Sequence, residues 1–326
     1  MTSEKKPFFS VVIPLYNKQS HVKETIETVF NQTFQDYEIV VVNDGSTDES
    51  AKVVESLQDN RIRLIHQENA GVSGARNHGI KEAKADYIAF LDADDLWLPK
   101  FLQTIYDMII DFPNAGMYAT KFEQVDNAGN HTPRIVRALP SDKYVGIIPK
   151  FFKSAVLGDY PTHTSAVCIP KKIFFDNNIW FPIGEKFAED QHVWSRVAMQ
   201  FDIAYNTNIC ALYMIEAENN TTGKSSKVKE PHKSILSLKE FRYIIKDKEE
   251  LKYFDLYIKA WIYQTILANI NNRDMIYARK NFFSYELLLK DRIILIFLFL
   301  IPFKFHPFFK KIYKKVKFNV IKKGFK

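Results

Sequence analysis

The chain has 326 residues, 46% of them hydrophobic, and a formal net charge of +7. That length exceeds one typical domain of about 100–200 residues and points to one large domain with an appendage. The charge does not mark a nucleic-acid surface, because residues 304–326 hold nine Lys and no acid while the other 303 residues carry 36 basic against 38 acidic side chains. Cys168 and Cys210 each lie in a short apolar run and are expected to be buried thiols. Residues 1–7 are polar and lack the apolar core of a signal peptide, so a cytoplasmic chain is expected.

Residues 8–15 are rich in β-branched side chains and bounded by polar ones, which predicts a strand. In residues 21–31, Val22, Ile26, Val29 and Phe30 recur at helical spacing. A second strand is expected over 38–43, running into Asn43, Asp44, Gly45 and Ser46. Ser46 followed by Glu49 has the spacing of a capping box and predicts a helix from there to about residue 57. Residues 61–66 read as a third strand, 71–83 as a loop passing into a helix, and 87–91 as a fourth strand. This alternation predicts an α/β fold, a doubly wound and mostly parallel sheet covered on both faces.

Beyond a helix at 99–111 the pattern is less regular. Strands are expected over 115–122, 165–169 and 208–215, a turn-rich segment over 126–133 and a helix over 188–200. From about residue 234 the sequence is mostly helical, up to a very apolar run at 293–303. The expected domains are 1–225, in two halves at 1–115 and 116–225, followed by a helical region at 226–326. No internal repeat or low-complexity stretch is present.

In an open parallel sheet, ligands bind outside the carboxyl ends of the strands. Three of the four early strands end in chemistry-bearing residues: Pro14, Tyr16 and Asn17; Asn43 and Asp44; and Asp92, Asp94 and Asp95. Three acids this close repel one another unless a cation lies among them. Oxygen donors with no His or Cys nearby suit a hard ion, Mg²⁺ or Mn²⁺, which commonly also holds a substrate phosphate. An aromatic face, an acceptor carboxylate and a metal site together suit a nucleoside diphosphate.

Residues 8–102 resemble the N-terminal half of a family-2 inverting glycosyltransferase of the GT-A fold. The likeness lies in residues 10–17 (Ser-Val-Val-Ile-Pro-Leu-Tyr-Asn), 42–48 (Val-Asn-Asp-Gly-Ser-Thr-Asp), 69–80 and 91–95 (Leu-Asp-Ala-Asp-Asp). It implies a divalent-metal-dependent transfer from a nucleoside-diphosphate sugar, most naturally a UDP-sugar. Tyr16 would stack on the base beside Pro14, Asp44 would accept the base's imide N–H, and Arg76 would lie near base or phosphate. Asp92 would face the ribose, and Asp94 would bind the metal.

Inverting transfer also needs a base for the acceptor hydroxyl. The resemblance places it in the acidic pair Glu189-Asp190, with Asp190 the residue implied and Glu189 and Glu185 in competition. The structural alternatives are Tyr16 as core packing, Arg76 in a surface ion pair, Asp44 as a helix-entry acid and the pair as acids favoured by a helix dipole. Residues 213–220 lack the His that many relatives carry there, leaving Glu216 as a substitute ligand. The remaining His residues are expected to be structural or solvent-facing. The Gly-rich loop of a nucleotidyltransferase is absent after the first strand, as is a Gly-x-Gly-x-x-Gly fingerprint. The retained Asp44, Asp92, Asp94 and Asp190 speak against a non-catalytic adaptor.

The apolar run at 293–303 would span roughly 16 Å as a helix, too short for a bilayer core of about 30 Å. Beyond Pro307, Phe308, Phe309, Ile312, Tyr313, Val316 and Val320 recur at helical spacing opposite Lys310, Lys311, Lys314, Lys315 and Lys317. Such a helix lies in an interface rather than across it. The tail at 293–326 is therefore expected to attach the protein to an anionic membrane surface, at the inner face of the plasma membrane, where a lipid-linked glycan acceptor would be met.

Overall fold

The computed structural model describes residues 6–185, 187–215 and 229–300. Four parallel strands, β1 (Phe9–Leu15), β2 (Tyr37–Asp44), β3 (Ile62–Gln67) and β4 (Tyr87–Phe90), lie in the order β3-β2-β1-β4. Leu15 pairs with Asn43, Asp44 with Gln67, and Val12 with Phe90. The four carboxyl ends therefore open on one edge. Strand β1 is buried along its whole length, as expected for a central parallel strand covered on both faces.

Its alternation sorts the helices. Phe9, Val11, Ile13 and Leu15 join a core with Val22, Ile26 and Val29 of α1 (Val22–Phe30) and Phe101, Leu102 and Ile105 of α4 (Phe101–Asp111). Val12 faces the other way, against α3 (Gly71–Glu82). There a side chain at Gly79 would come within 2.4 Å of Val12. Helix α3 reaches the sheet this closely because residue 79 has no Cβ.

The short helix α2 (Ser50–Glu55) corrects one expectation. Ser46 and Glu49 form no capping box, and the helix starts four residues later. Ser46 Oγ instead accepts from Asn17 N at 3.1 Å, and Glu49 N donates to Gln19 Oε1 at 3.0 Å. Asp48 Oδ1 accepts from Ser50 N at 3.0 Å. Long-range bonds to the loop after β1 claim the groups that the local pattern assigns to a cap.

Past β4 the sheet becomes mixed. Strand β5 (Leu96–Trp97) pairs with β10 (Ile203–Met214), and β6 (Met117–Val125) lies between β10 and β9 (Val167–Pro170). Strand β9 runs antiparallel to β4 and β6, whereas β6 and β10 are parallel. The edge strands β7 (His131–Pro133) and β8 (Val145–Ile147) and the helices α5 (Phe151–Leu157) and α6 (Lys171–Asp176) are too short to leave a periodic signal. Strand β10 begins five residues before the expected start. Register shifts between Asn206 and Ile209 and between Ile209 and Ala211 break its alternation. Helix α7 (Glu189–Ala198) matches the helix expected over 188–200. The long pairings are parallel and the short ones antiparallel, so the fold is the α/β, mostly parallel one the sequence predicts.

The chain divides into two compact units, one from the ranges 1–224 and 232–252 and the other from 225–231 and 253–326. The first therefore ends its main range at residue 224 and also includes α8 (Lys233–Ser237). The helical part continues with α9 (Lys248–Asn271), α10 (Met275–Ser284) and α11 (Leu289–Leu300). Asp274 caps α10 by accepting from Tyr277 N, and Phe282 and Phe299 meet edge to face at 5.4 Å. No described helix is long and apolar enough to cross a membrane. Glu216 and the basic stretch 304–326 lie outside the described residues.

Candidate active site

The carboxyl edge of the sheet gathers residues distant in sequence because antiparallel β9 enters where parallel β1, β2 and β4 leave. Its entry brings His163, Thr164 and Ser165 to the loop after β4. Asp95, 1% exposed, accepts from Ser165 Oγ at 2.5 Å, from His163 Nε2 at 2.9 Å and from Met214 N at 3.1 Å. Ser165 Oγ also accepts from Asp92 N at 3.1 Å. His163 is held above its ordinary pKa: burial works against the charged ring, and the bond to Asp95 outweighs it. The third acid of the motif thus ties the loop after β4 to β9 and β10.

Asp92 and Asp94 have other partners. Arg76, on α3 and 3% exposed, donates from Nη2 to Asp92 at 2.7 Å and from Nη1 to Glu189 at 2.7 Å. Its guanidinium also lies over the Phe181 ring, 5.2 Å from the centroid. Burial pulls the Arg76 pKa down, but Asp92 and Glu189, with Asp190 beyond them, hold it above its ordinary value. The ion pair is real but buried, not the surface pair among the alternatives. Asp94 Oδ2 lies 2.5 Å from Lys18 Nζ. Burial, then Asp95 and Asp92, push the Asp94 carboxyl up to about 6 against the pull of Lys18.

The crowded acids are therefore largely matched by cations of the protein itself. Among the described residues no cluster of three or more His, Cys, Asp or Glu is placed to hold a metal ion. One carboxylate, Asp94, would be available to a hard ion, a class that commonly takes its other ligands from water and substrate phosphate.

The acidic pair divides at the start of α7. Ala188 adopts a left-handed φ of 61° as its N-cap, a conformation that is uncommon outside glycine and that concentrates at functional sites. Glu189, 8% exposed, turns inward to Arg76. Burial raises its pKa, as does Asp190, while Arg76 opposes both. Asp190 stays partly exposed, with Thr164 Oγ1 at 3.4 Å and Gln191 N at 2.6 Å. Glu185 lies before the helix, partly buried.

At the ends of β1 and β2, Pro14 is buried and Tyr16 is 46% exposed, so Tyr16 is not core packing. Asn17 has a left-handed φ of 52° and accepts from Thr47 N at 2.8 Å, which holds the loop after β1 against the loop after β2. Asp44 is 2% exposed, and its Oδ1 accepts from Gln67 Nε2 at 2.7 Å and Ala70 N at 2.8 Å. It buttresses the entry to α3 rather than that of α2. Gly45 follows with a φ of +71°, and a Cβ there would stand 3.1 Å from Asn69 N.

Lys18, His163, Thr164 and Ser165 are the site residues that sequence reasoning missed. Their partners lie 26 to 76 residues away, and no local pattern announces them.

The model of the family described as Glycosyl transferase family 2 matches residues 10–174. Glycosyltransferase GlyG of Streptococcus pneumoniae serotype 4 is 31% identical over 189 residues, covering 56% of this chain and 62% of its own. The uncharacterized glycosyltransferase EpsJ of Bacillus subtilis is 46% identical over 91 residues, 27% of this chain and 26% of its own. The chain thus spans less than two thirds of either relative. The fold matches the crystal structure of S. aureus TarS 1–349 in complex with UDP-GlcNAc at a TM-score of 0.62 and 21% identity, over 88% of this chain and 79% of that one. TarS 1–349 in complex with UDP matches at 0.55 and 19% identity, over 88% and 90%.

Proposed function

The chain belongs to glycosyl transferase family 2, and from that premise we propose that it transfers a sugar from a UDP-sugar to an acceptor hydroxyl by inverting single displacement. The observation that carries this reading is the division of the acidic pair. Glu189 is spent on Arg76, while Asp190 remains partly exposed beside Thr164 at the carboxyl edge of the sheet. That leaves one carboxylate able to take the proton of the attacking hydroxyl. The nucleotides in the TarS complexes support UDP as the carrier.

In this reading Tyr16 stacks on the base beside the Pro14 backbone, and Asp44 accepts the imide N–H. Asp92 faces the ribose, oriented by Arg76. Asp94 holds Mn²⁺ or Mg²⁺, which when bound supplies charge neutralisation to the leaving diphosphate. Thermal-shift measurement with a panel of nucleotide-sugars and Mn²⁺ tests donor binding. The expected result is stabilisation by UDP-sugars that EDTA reduces, and stabilisation by no nucleotide-sugar contradicts the reading.

The acceptor is proposed to be a lipid-linked glycan intermediate of surface polysaccharide synthesis, met at the inner face of the plasma membrane. Support comes from the nine lysines of residues 304–326 and from exposed apolar side chains on the preceding helices: Ile276, Phe283 and Leu289 are 81%, 79% and 75% exposed. Exposed apolar side chains and lysines within one region of the sequence favour an anionic interface, where each Lys contributes about 1 kcal/mol. Deletion of residues 301–326 is expected to abolish flotation with anionic liposomes while UDP binding persists. Unchanged flotation contradicts the membrane part.

A further inference from the structure

Lys18 has no part in the reaction described so far, yet it makes a close and largely buried ion pair. Its Nζ lies 2.5 Å from Asp94 Oδ2, with 12% and 14% of the two side chains exposed. The backbone beneath it is fixed: Lys18 N donates to Ser50 Oγ at 2.8 Å, and Gln19 N to Asp48 Oδ2 at 3.2 Å. The same loop carries Tyr16 and is bonded to the loop after β2 through Asn17. The fold therefore aims one ammonium, on a flexible four-carbon stem, at the acid assigned to the metal.

Space for an ion exists beside that acid. A cavity of about 50 Å³ is lined by Asp94 together with His21, Glu24 and Thr25. The His21 Nε2 and Thr25 Oγ1 atoms are buried and lack a hydrogen-bond partner among the described residues. The volume suffices for a water or a small ion beside Asp94. Two cations cannot both be neutralised by one carboxylate. When a divalent ion takes Asp94, it repels the Lys18 ammonium, and a second phosphate close by attracts it.

We propose that Lys18 is a diphosphate-binding residue that doubles as a guard on Asp94. In the nucleotide-free protein its ammonium neutralises Asp94. When nucleotide and divalent ion bind, it moves onto the diphosphate of the donor. The inference rests on the sugar-transfer reading above and adds a coupling to it. The ion binds weakly alone, because it must displace Lys18, and tightly with the nucleotide, because the displaced ammonium gains a phosphate partner. By linkage the nucleotide gains equally from the ion.

The test is binding, not turnover. Mn²⁺ is titrated by water-proton relaxation with and without UDP, and UDP and UMP are titrated by calorimetry in EDTA, on the full chain and on Lys18→Met and Lys18→Gln. Both variants are expected to bind Mn²⁺ alone about tenfold more tightly and UDP in EDTA about tenfold more weakly, the range of a close charge pair. UMP, which lacks the second phosphate, should bind the variants as it binds the wild type.

Variants that bind Mn²⁺ alone and UDP in EDTA as the wild type does overturn the inference and leave a purely structural ion pair. If both variants fail to fold, the wild type decides: tighter binding of UDP than of UMP in EDTA supports the proposal, and equal binding overturns it. A wild type that binds neither UDP nor UMP, with or without Mn²⁺, overturns the sugar-transfer reading itself and this inference with it.

Discussion

Two neighbouring parts of the sheet edge hold charge in opposite ways. Beneath it, Arg76, Asp92 and Glu189 form a knot in which the guanidinium is 3% exposed and each carboxylate bond is 2.7 Å long. At its rim, Tyr16 is nearly half exposed and Asp190 has no cationic partner among the described residues. A buried ion pair contributes little net stability but is strongly destabilising when one member is removed. A rim group contributes little to the fold and remains available to a ligand. Adjacent acids, 189 and 190, thereby differ in burial and in partner through their surroundings alone.

That contrast breaks most sharply at Arg76. Its replacement by Met strands two carboxylates, one of them buried, and is expected to lower stability by about 3–5 kcal/mol in urea denaturation. A loss below about 1 kcal/mol would show that the knot is not what holds α3 and α7 together.

At the rim, Tyr16→Ala should leave stability within about 0.5 kcal/mol. It should weaken UDP binding by about 1–3 kcal/mol, the range of base stacking on an aromatic ring. Calorimetry and thermal melting on the same sample separate the two effects.

Asp94 lies between these extremes and gives the smallest shift. Its folded-state pKa is about 6, above the ordinary value of 3.8. Between those values the folded state binds more protons than the unfolded one, so stability falls as pH rises through that window. In the ion-free protein Asp94→Asn should therefore keep or slightly raise the melting temperature at pH 7. Mn²⁺ binding to the wild type should weaken as pH drops through about 6 and the carboxylate protonates, rather than near 4 as at an ordinary aspartate. A melting temperature that drops by several degrees in Asp94→Asn would mean that its pairing with Lys18 outweighs the desolvation of the acid.

The four parallel strands were legible from their apolar runs and α1, α4 and α7 as helices, whereas α3 is helical from Gly71, where a loop is expected; these elements carry Pro14, Tyr16, Asp44, Arg76, Asp92, Asp94 and Asp190 to positions at or near the carboxyl edge of the sheet. What was not legible depends on distant pairing. Ser46 and Glu49 have capping-box spacing, yet Asn17 and Gln19 take their bonding groups. The double register shift in β10 hides its first residues, and short β5, β7 and β8 have no period to detect. The acidic triplet reads locally as a place for a cation, whereas Lys18, Arg76 and His163 arrive from 76, 16 and 68 residues away. Nothing in the local pattern separates the roles of Asp92, Asp94 and Asp95.

The proposed division is chemistry at Asp190 and support of the fold at Glu189. It is tested most directly by the rate of UDP release from a UDP-sugar, measured per folded molecule for Asp190→Asn beside Glu189→Gln. Asp190→Asn is predicted to keep its melting temperature and UDP affinity and to lose a factor of about 10²–10⁴ in rate, the usual share of a general base. Glu189→Gln is predicted to melt earlier and to keep most of its rate per folded molecule. Full turnover in Asp190→Asn, with loss of turnover in a well-folded Glu189→Gln, would contradict the account and move the base one residue earlier.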